Sequence, residues 1–224
     1  MPVDKRNRQG LLTNRLVNKR RTRGDSQAAV FTAAAQEFAH FGYDAARVDR
    51  IALRARLNKA MLYYHYGSKP QLYLEVLRDM FRAVGLRVRA IAEGTGAADT
   101  KLDAWVLAIV EEAAARPWFP PIMLREVASG APHIDKDTFE MMNGVFGSFR
   151  AILVQGQQEG AFREVDPILT YLTILPSILI FFARQRALSQ RKNLQRLAAG
   201  APRTVDDFIR HVQSTSRAIL RRET

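Results

Sequence analysis

Side chains suited to binding a phosphate backbone are concentrated in one short stretch of this sequence, residues 47–69. Lysine and arginine can neutralise phosphates, and tyrosine hydroxyls can donate hydrogen bonds to them. Asparagine and methionine near the beginning of a short helix can reach base edges in the major groove of a duplex. The side chains with these properties are Arg47, Arg56, Asn58, Lys59, Met61, Tyr63, Tyr64, His65 and Lys69. We predict that they form a DNA-binding surface.

Two short helices joined by a tight turn are the elements that must position this surface. Apolar residues recur at the spacing of one helical face over 48–55, and a second helix is predicted over 59–66. Asn58 suits the N-cap of the second helix, with Leu57 and Leu62 forming a hydrophobic staple around it. This pattern predicts a helix-turn-helix. The alternative is a solvated helix with two half-buried tyrosines.

Residues 29–81 resemble the N-terminal DNA-binding domain of the TetR family of transcriptional regulators. The shared motifs are AA–F–G–Y at the end of the first helix, V–IA–A in the second, and K–LYYHY–SK–L from the third onward. The first motif consists of Ala33, Ala34, Phe38, Gly42 and Tyr43. The resemblance implies an all-helical dimer in which three N-terminal helices bind a palindromic operator and a larger C-terminal domain binds an effector. It also implies DNA contacts by Lys59, Met61, Tyr63, Tyr64, His65 and Lys69.

Three positions depart from the family pattern. Arg56 stands where the turn usually has glycine, so a left-handed backbone there would cost roughly 1 kcal/mol. Ala46–Arg47 replaces the Thr or Ser that often caps the second helix, which leaves Asp44 as the expected cap. Ala60–Met61 replaces the frequent Gly and Thr, so the base preference does not follow from the resemblance.

The charge of the chain is unevenly distributed. The net charge is +12, and residues 1–69 carry 14 Lys/Arg against 5 Asp/Glu, whereas the remainder carries 20 against 17. This asymmetry indicates a polyanionic partner at the N-terminal end. We interpret residues 1–24 as a flexible basic arm that lies along phosphates or enters a minor groove. The alternative is a solvated tail that only raises the local charge.

Hydrophobic periodicity divides the rest of the chain into helices, which makes the predicted fold all-α. Asp25 or Ser26 is expected to cap a first helix whose buried face includes Phe41 and which Gly42 ends in a left-handed conformation. Further helices are predicted at about 71–93, 100–116, 122–129, 136–159, 168–183 and 205–220. We therefore expect an arm (1–24), a helix-turn-helix domain (25–69) and an effector-binding and dimerisation domain (70–224).

The middle of the chain is rich in aromatic and methionine side chains with a few polar groups among them. Ligand pockets are generally built in this way. The candidate ligand-binding residues are Trp105, Trp118, Met123, Arg125, Asn143 and Phe146. They predict a small-molecule effector that is largely apolar. For each residue taken singly, ordinary core packing is the alternative.

The most apolar segment is residues 168–183, which is shorter than the roughly 20 residues that span a membrane and contains Pro176. A helix this apolar exposes too much surface for a monomer of this size to cover easily, which favours association. The resemblance likewise implies that the last two helices form the homodimer. The candidate interface residues are Leu172, Leu175, Leu179, Phe182, Phe208, Val212 and Ile219. Burial within one subunit is the alternative.

No set of residues has the spacing of a catalytic, metal or cofactor site. The four histidines are scattered, there is no phosphate-binding glycine loop, and there is no cysteine. We therefore expect neither an enzyme nor a cofactor. The lack of cysteine and of a secretory signal fits a cytoplasmic protein.

These observations together predict a ligand-responsive transcriptional repressor that binds a palindromic operator as a dimer. The alternative is a constitutive architectural DNA-binding protein without an effector. More distant alternatives are an enzyme that uses the central cavity and a membrane protein.

Overall fold

The computed structural model describes residues 22–191 and 203–221, and the elements in these ranges are helices. They are α1 (Arg23–Ala45), α2 (Val48–Ala55), α3 (Lys59–Tyr66), α4 (Lys69–Glu93), α5 (Ala98–Ala115), α6 (Phe119–Ala128), α7 (Lys136–Gln158), α8 (Pro167–Gln190) and α9 (Val205–Leu220). The predicted all-α fold is confirmed. An isolated antiparallel bridge also joins Phe162, in the α7–α8 loop, to Arg221. Most of the predicted arm lies outside the described residues.

Helices α1 to α3 form a three-helix head around a small apolar core. Val30 and Phe38 of α1, Ile51 of α2 and Leu62 of α3 are fully buried in it. The N-cap of α3 is Asn58, as predicted, because its side chain accepts a hydrogen bond from the backbone N–H of Met61 at 2.8 Å. The local capping signal thus fixes where α3 begins.

Three expectations for α1 differ from the structure. Its N-cap is Thr22, which forms a capping box with Asp25, so Asp25 is the third helical residue instead of the cap. Phe41 was expected on the buried face, but it is 39% exposed. The guanidinium of Arg50 lies 4.1 Å from the centroid of its ring. Gly42 does interrupt α1 with a positive φ of 76°, but its ψ of 177° is extended and not left-handed helical.

Helix α4 connects the head to the body formed by α5 to α9. Its buried residues run along the whole helix, from Leu72 beside the head to Val88 in the body. Polar contacts also hold α4 in place: Arg78 pairs with Asp135 at the start of α7, and Arg116, the C-cap of α5, pairs with Asp79 at 2.7 Å. Hydrogen bonds from Thr138 and Arg78 lower the pKa of Asp135 to about 2. The link between head and body is therefore a packed helix.

The C-terminal helix pair is apolar on a side that the subunit does not cover. Helix α8 is capped by Asp166 and has 24 residues, so the predicted helix over 168–183 was too short, and α8 is long and apolar enough to cross a membrane by length and composition alone. Core helices of soluble proteins pass the same test, but much of this helix is exposed. Ile168, Leu169, Leu172 and Ile180 are each at least half exposed.

The turn of the helix-turn-helix has a left-handed backbone at Arg56, where the family usually has glycine. Arg56 has φ 55° and ψ 45°, the left-handed region, and it ends α2. Two backbone hydrogen bonds close this end: Arg56 donates to Leu53 and Leu57 donates to Ala52, both at 3.0 Å. A side chain in this region strains the backbone, whereas glycine does not.

We therefore predict that Arg56→Gly raises the free energy of unfolding by up to about 1 kcal/mol. Denaturant unfolding followed by circular dichroism is the measurement. Ala131→Gly, at the other described non-glycine position with a positive φ, should act in the same direction. Arg54→Gly, inside α2, should instead destabilise by about 1 kcal/mol. Destabilisation by Arg56→Gly would show that the turn is not strained.

Candidate nucleic-acid interface

The recognition surface is built on α3, whose outward side chains are uncovered by the rest of the subunit. Tyr63 and Tyr64 are 45% and 61% exposed, and Asn58 and Lys59 are exposed beside the N-terminus of the helix. Met61 is half-buried one turn further on, and Leu62 anchors the helix in the core. An α-helix presented in this way fits a major groove, with its N-terminal residues toward the bases.

The two lysines predicted to contact phosphate already have partners within the head. Lys59 Nζ lies 2.6 Å from Asp49 Oδ1 on α2, and this hydrogen bond raises the pKa of the lysine. Lys69 Nζ lies 4.5 Å above the ring of Tyr43 and 3.4 Å from the carbonyl oxygen of Asp44. Both side chains are thus held near α3 before any DNA arrives.

Residues of α1 lie beside the predicted DNA-binding surface. His65 is half-buried, and its Nε2 lies 2.7 Å from the hydroxyl of Ser26, so the structure gives this predicted DNA contact a partner on α1. The guanidinium of Arg23 lies 5.2 Å from the centroid of the Tyr64 ring, which adds an exposed cation next to α3. Sequence reasoning placed Arg23 in the arm and did not connect it with α3.

The N-terminus of α2 is held by a buried carboxylate that sequence reasoning missed. Asp44 does not cap this helix: the N-cap is Arg47, whose side chain makes no capping bond. Instead, the backbone N–H of Arg47 donates to Glu37 Oε1 at 3.2 Å, and Arg50 Nε donates to the same atom at 2.5 Å. Glu37 is fully buried, and both donors meet its Oε1, whereas Oε2 has no hydrogen-bond partner within the described residues. Arg47 and Arg56, at the two ends of α2, are both exposed, and their contact with DNA stays a prediction.

The structure does not bring the six predicted ligand-binding residues together. Trp105 is fully buried against Phe149 and Tyr171, and Phe146 joins this cluster through Tyr171 at 5.3 Å. Trp118 instead packs edge-on against α1, Met123 is a core residue and Asn143 is exposed.

Arg125 is also displaced from the predicted pocket. Its guanidinium donates to the carbonyl oxygens of Ala39 and His40 at 2.8 and 3.2 Å. These bonds place the Arg125 side chain against α1, and its contact with a ligand stays a prediction.

The predicted dimer residues fall into two groups. Leu172 is 56% exposed, and four others are half-buried at the α8–α9 surface: Leu175, Phe182, Phe208 and Ile219. Leu179 and Val212 are 8% and 5% exposed, so they belong to the core of the subunit, beneath any contact surface. Phe181 and Phe208 stack at 4.0 Å and hold α8 and α9 together.

A three-helix head with an uncovered recognition helix, joined to a larger helical body, defines a two-part DNA-binding protein of the helix-turn-helix class. Residues 30–76 match the family described as bacterial regulatory proteins, tetR family, and residues 99–212 match the tetracyclin repressor-like C-terminal domain. The chain therefore belongs to the TetR family and is a DNA-binding transcriptional regulator. Members of this family are regulators and not enzymes.

Curated relatives are similar over parts of the chain. The HTH-type transcriptional repressor SCO4008 of Streptomyces coelicolor is 33% identical over 92 residues, which are 41% of this chain and 44% of that protein. The HTH-type transcriptional repressor NicS of Pseudomonas putida is 25% identical over 155 residues, covering 68% of this chain and 73% of that one. The chain thus spans less than half the length of the first relative.

Solved structures show the same fold at low sequence identity. The ketosteroid transcriptional regulator KstR2 of Mycobacterium tuberculosis matches with a TM-score of 0.70 at 22% identity, over 88% of this chain and 95% of that one. The TetR family regulator PfmR of Thermus thermophilus matches with a TM-score of 0.68 at 23% identity, over 86% and 99%. Both similarities concern the fold of head and body together.

We predict that Glu37→Gln destabilises the protein by roughly 1–3 kcal/mol, because Arg50 loses its charged partner while the shape is kept. The measurement is the free energy of unfolding in urea. The matched control is Glu140→Gln, which removes an exposed pair with Lys136 on α7 and should change stability by less than about 0.5 kcal/mol. If the two substitutions change the free energy of unfolding equally, the buried Glu37 contact does not stabilise the fold more than an exposed ion pair.

Proposed function

We propose that this regulator is a repressor that binds an inverted-repeat operator as a homodimer in the cytoplasm and releases it when a largely apolar small molecule binds the body. The observation that carries the proposal is the uncovered face of α3, with Asn58, Lys59, Tyr63 and Tyr64 exposed around a capped N-terminus. A single α3 reads only a few base pairs, so specific binding calls for a second copy related by a two-fold axis.

The surface of α8 and α9 supports the dimer. Exposed Ile168, Leu169, Leu172 and Ile180 make α8 apolar toward solvent, and an exposed apolar face of this kind favours association. Beside them, a groove of ≈ 190 Å³ opens between α8 and α9. A two-fold contact offers each copy the same groove and the same exposed side chains, which is the self-complementarity that a homodimer needs.

The effector site that we propose lies in the body, at the aromatic cluster between α5, α7 and α8. Trp105, Phe149 and Tyr171 pack there with ring centroids 5.0 to 6.0 Å apart. The indole N–H of Trp105 is buried and has no hydrogen-bond acceptor within the described residues. An apolar molecule that carries one acceptor oxygen would satisfy this donor, and this combination suits a ligand pocket.

Selection of genomic DNA fragments by the purified chain tests the DNA-binding part of the proposal. We expect recovery of an inverted repeat, and genes next to the bound site would suggest the effector. Met61→Ala should change the preferred half-site sequence because Met61 lies near the N-terminus of α3. Tyr63→Phe and Lys69→Ala should weaken binding to all sequences alike, and Lys69→Ala should also lower the salt slope by about one. Recovery of unrelated sequences would instead favour an architectural DNA-coating protein.

We predict that Leu172→Glu converts the dimer to a monomer at micromolar concentration, because it buries a charge in an apolar contact. Sedimentation velocity is the measurement. Leu86→Glu is the matched control: Leu86 is 77% exposed but lies on α4, away from the α8–α9 surface, so this variant should stay dimeric. If both variants stay dimeric, the two-fold contact lies elsewhere.

A further inference from the structure

Helix α6 contacts the head through the polar side chain of Arg125, which reaches backbone carbonyl groups of α1. Arg125 Nη1 donates to Ala39 O at 2.8 Å and to Phe38 O at 3.4 Å, and Nη2 donates to His40 O at 3.2 Å. These carbonyls lie near the C-terminal end of α1, where the helix dipole attracts a cation. Helix α1 has no basic residue in its own last turn, so a body residue supplies that charge.

The neighbouring residue on α6 bonds to the connecting helix α4 and to the loop that follows α6. Glu126 is 3% exposed, and its Oε1 accepts the hydroxyl proton of Tyr73 at 2.5 Å and lies 2.9 Å from His133 Nδ1. The backbone N–H of His133 donates to Oε2 at 3.3 Å. Burial and the adjacent Glu126 carboxylate raise the pKa of Tyr73, which keeps its phenol protonated as a donor.

His133 carries this contact into the head. Its ring lies 4.0 Å from the ring of Tyr43, and Tyr73 packs edge-on against the same tyrosine at 4.9 Å. On the other side, Lys69 Nζ lies 4.5 Å from the Tyr43 ring. Tyr43 is thus held between a body residue and a lysine that is predicted to contact phosphate.

We propose that Arg125, Glu126 and His133, named here the head clasp, set the angle between head and body and thereby select the spacing of the two operator half-sites. The inference depends on the proposed binding of an inverted repeat by a homodimer. A clasp of directional hydrogen bonds suits this role because it fixes orientation, whereas apolar packing of Trp118 against Phe31 tolerates small rotations.

The clasp lies away from the side chains that read bases. Its members contact the end of α1, Tyr43 and Tyr73, and none contacts α3 directly among the hydrogen bonds and ring contacts of the described residues. Half-site sequence and half-site spacing should therefore respond to different substitutions. This separation distinguishes a spacing determinant from a residue that only stabilises the fold.

The test measures binding to a set of duplexes in which the selected half-sites are separated by every spacer over one helical turn. Wild-type protein should prefer one spacer. Arg125→Met keeps the aliphatic stem but removes the donors, and it should reduce the preference for that spacer over its neighbours by about tenfold, roughly the value of one charge-assisted hydrogen bond. The half-site sequence preference should not change.

Two further variants keep the proposal open to refutation. His133→Phe retains the ring beside Tyr43 but loses the bond to Glu126, so it should broaden the spacer preference even if Arg125→Met folds poorly. Arg89→Met removes an arginine that pairs along α4 with Glu93, and it should leave the spacer preference intact. Melting by circular dichroism is recorded for each variant.

A lower melting temperature with an unchanged single spacer would show that the clasp is structural only and would overturn the inference while leaving the proposed function intact. A wild-type protein that selects no paired half-sites would remove the proposed function and the inference together. A relaxed spacer preference in both clasp variants, with the Arg89 variant unchanged, supports the proposal.

Discussion

The structure depends on an apolar core that continues from the three-helix head into the body through α4. Leu72, Tyr73 and Val76 are buried at the head end of this helix, and Val84 and Val88 are buried at the body end. Moving the head as a rigid unit would therefore expose apolar surface to water. Each Å² exposed would cost about 25 cal/mol of free energy. The orientation of the recognition helix is therefore a property of the whole subunit.

Local sequence signals predicted the positions of the helices well. The apolar spacing in α2 and α4 and the N-cap Asn58 depend only on neighbours in the chain, so they could be recognised without tertiary information. The cap of α1 was misassigned although the signal was present: Thr22 and Asp25 have capping-box spacing, and the basic residues before them were taken for a continuous arm.

The polar contacts that organise the site could not be predicted in the same way. Glu37 is a charge on an otherwise apolar face, and only the fold shows that Arg50 and a backbone N–H reach it. Arg125 is separated from Ala39 by 86 residues, so no periodicity links them. Composition suggested a ligand pocket for Arg125, Trp118 and Asn143 together, but aromatic and polar residues at helical spacing serve several different packing surfaces.

The ion pair between Lys59 and Asp49 has a consequence for how the protein searches a genome. Because both side chains are exposed, the pair makes this part of the surface nearly neutral until a phosphate displaces the carboxylate. Sequence-independent attraction to DNA grows with every unpaired cation that meets the backbone. If Lys59 contacts phosphate as the sequence predicts, a carboxylate kept beside the recognition helix should shorten the residence time on random sequence. A duplex whose other contacts compensate for breaking the pair would then retain the protein longer.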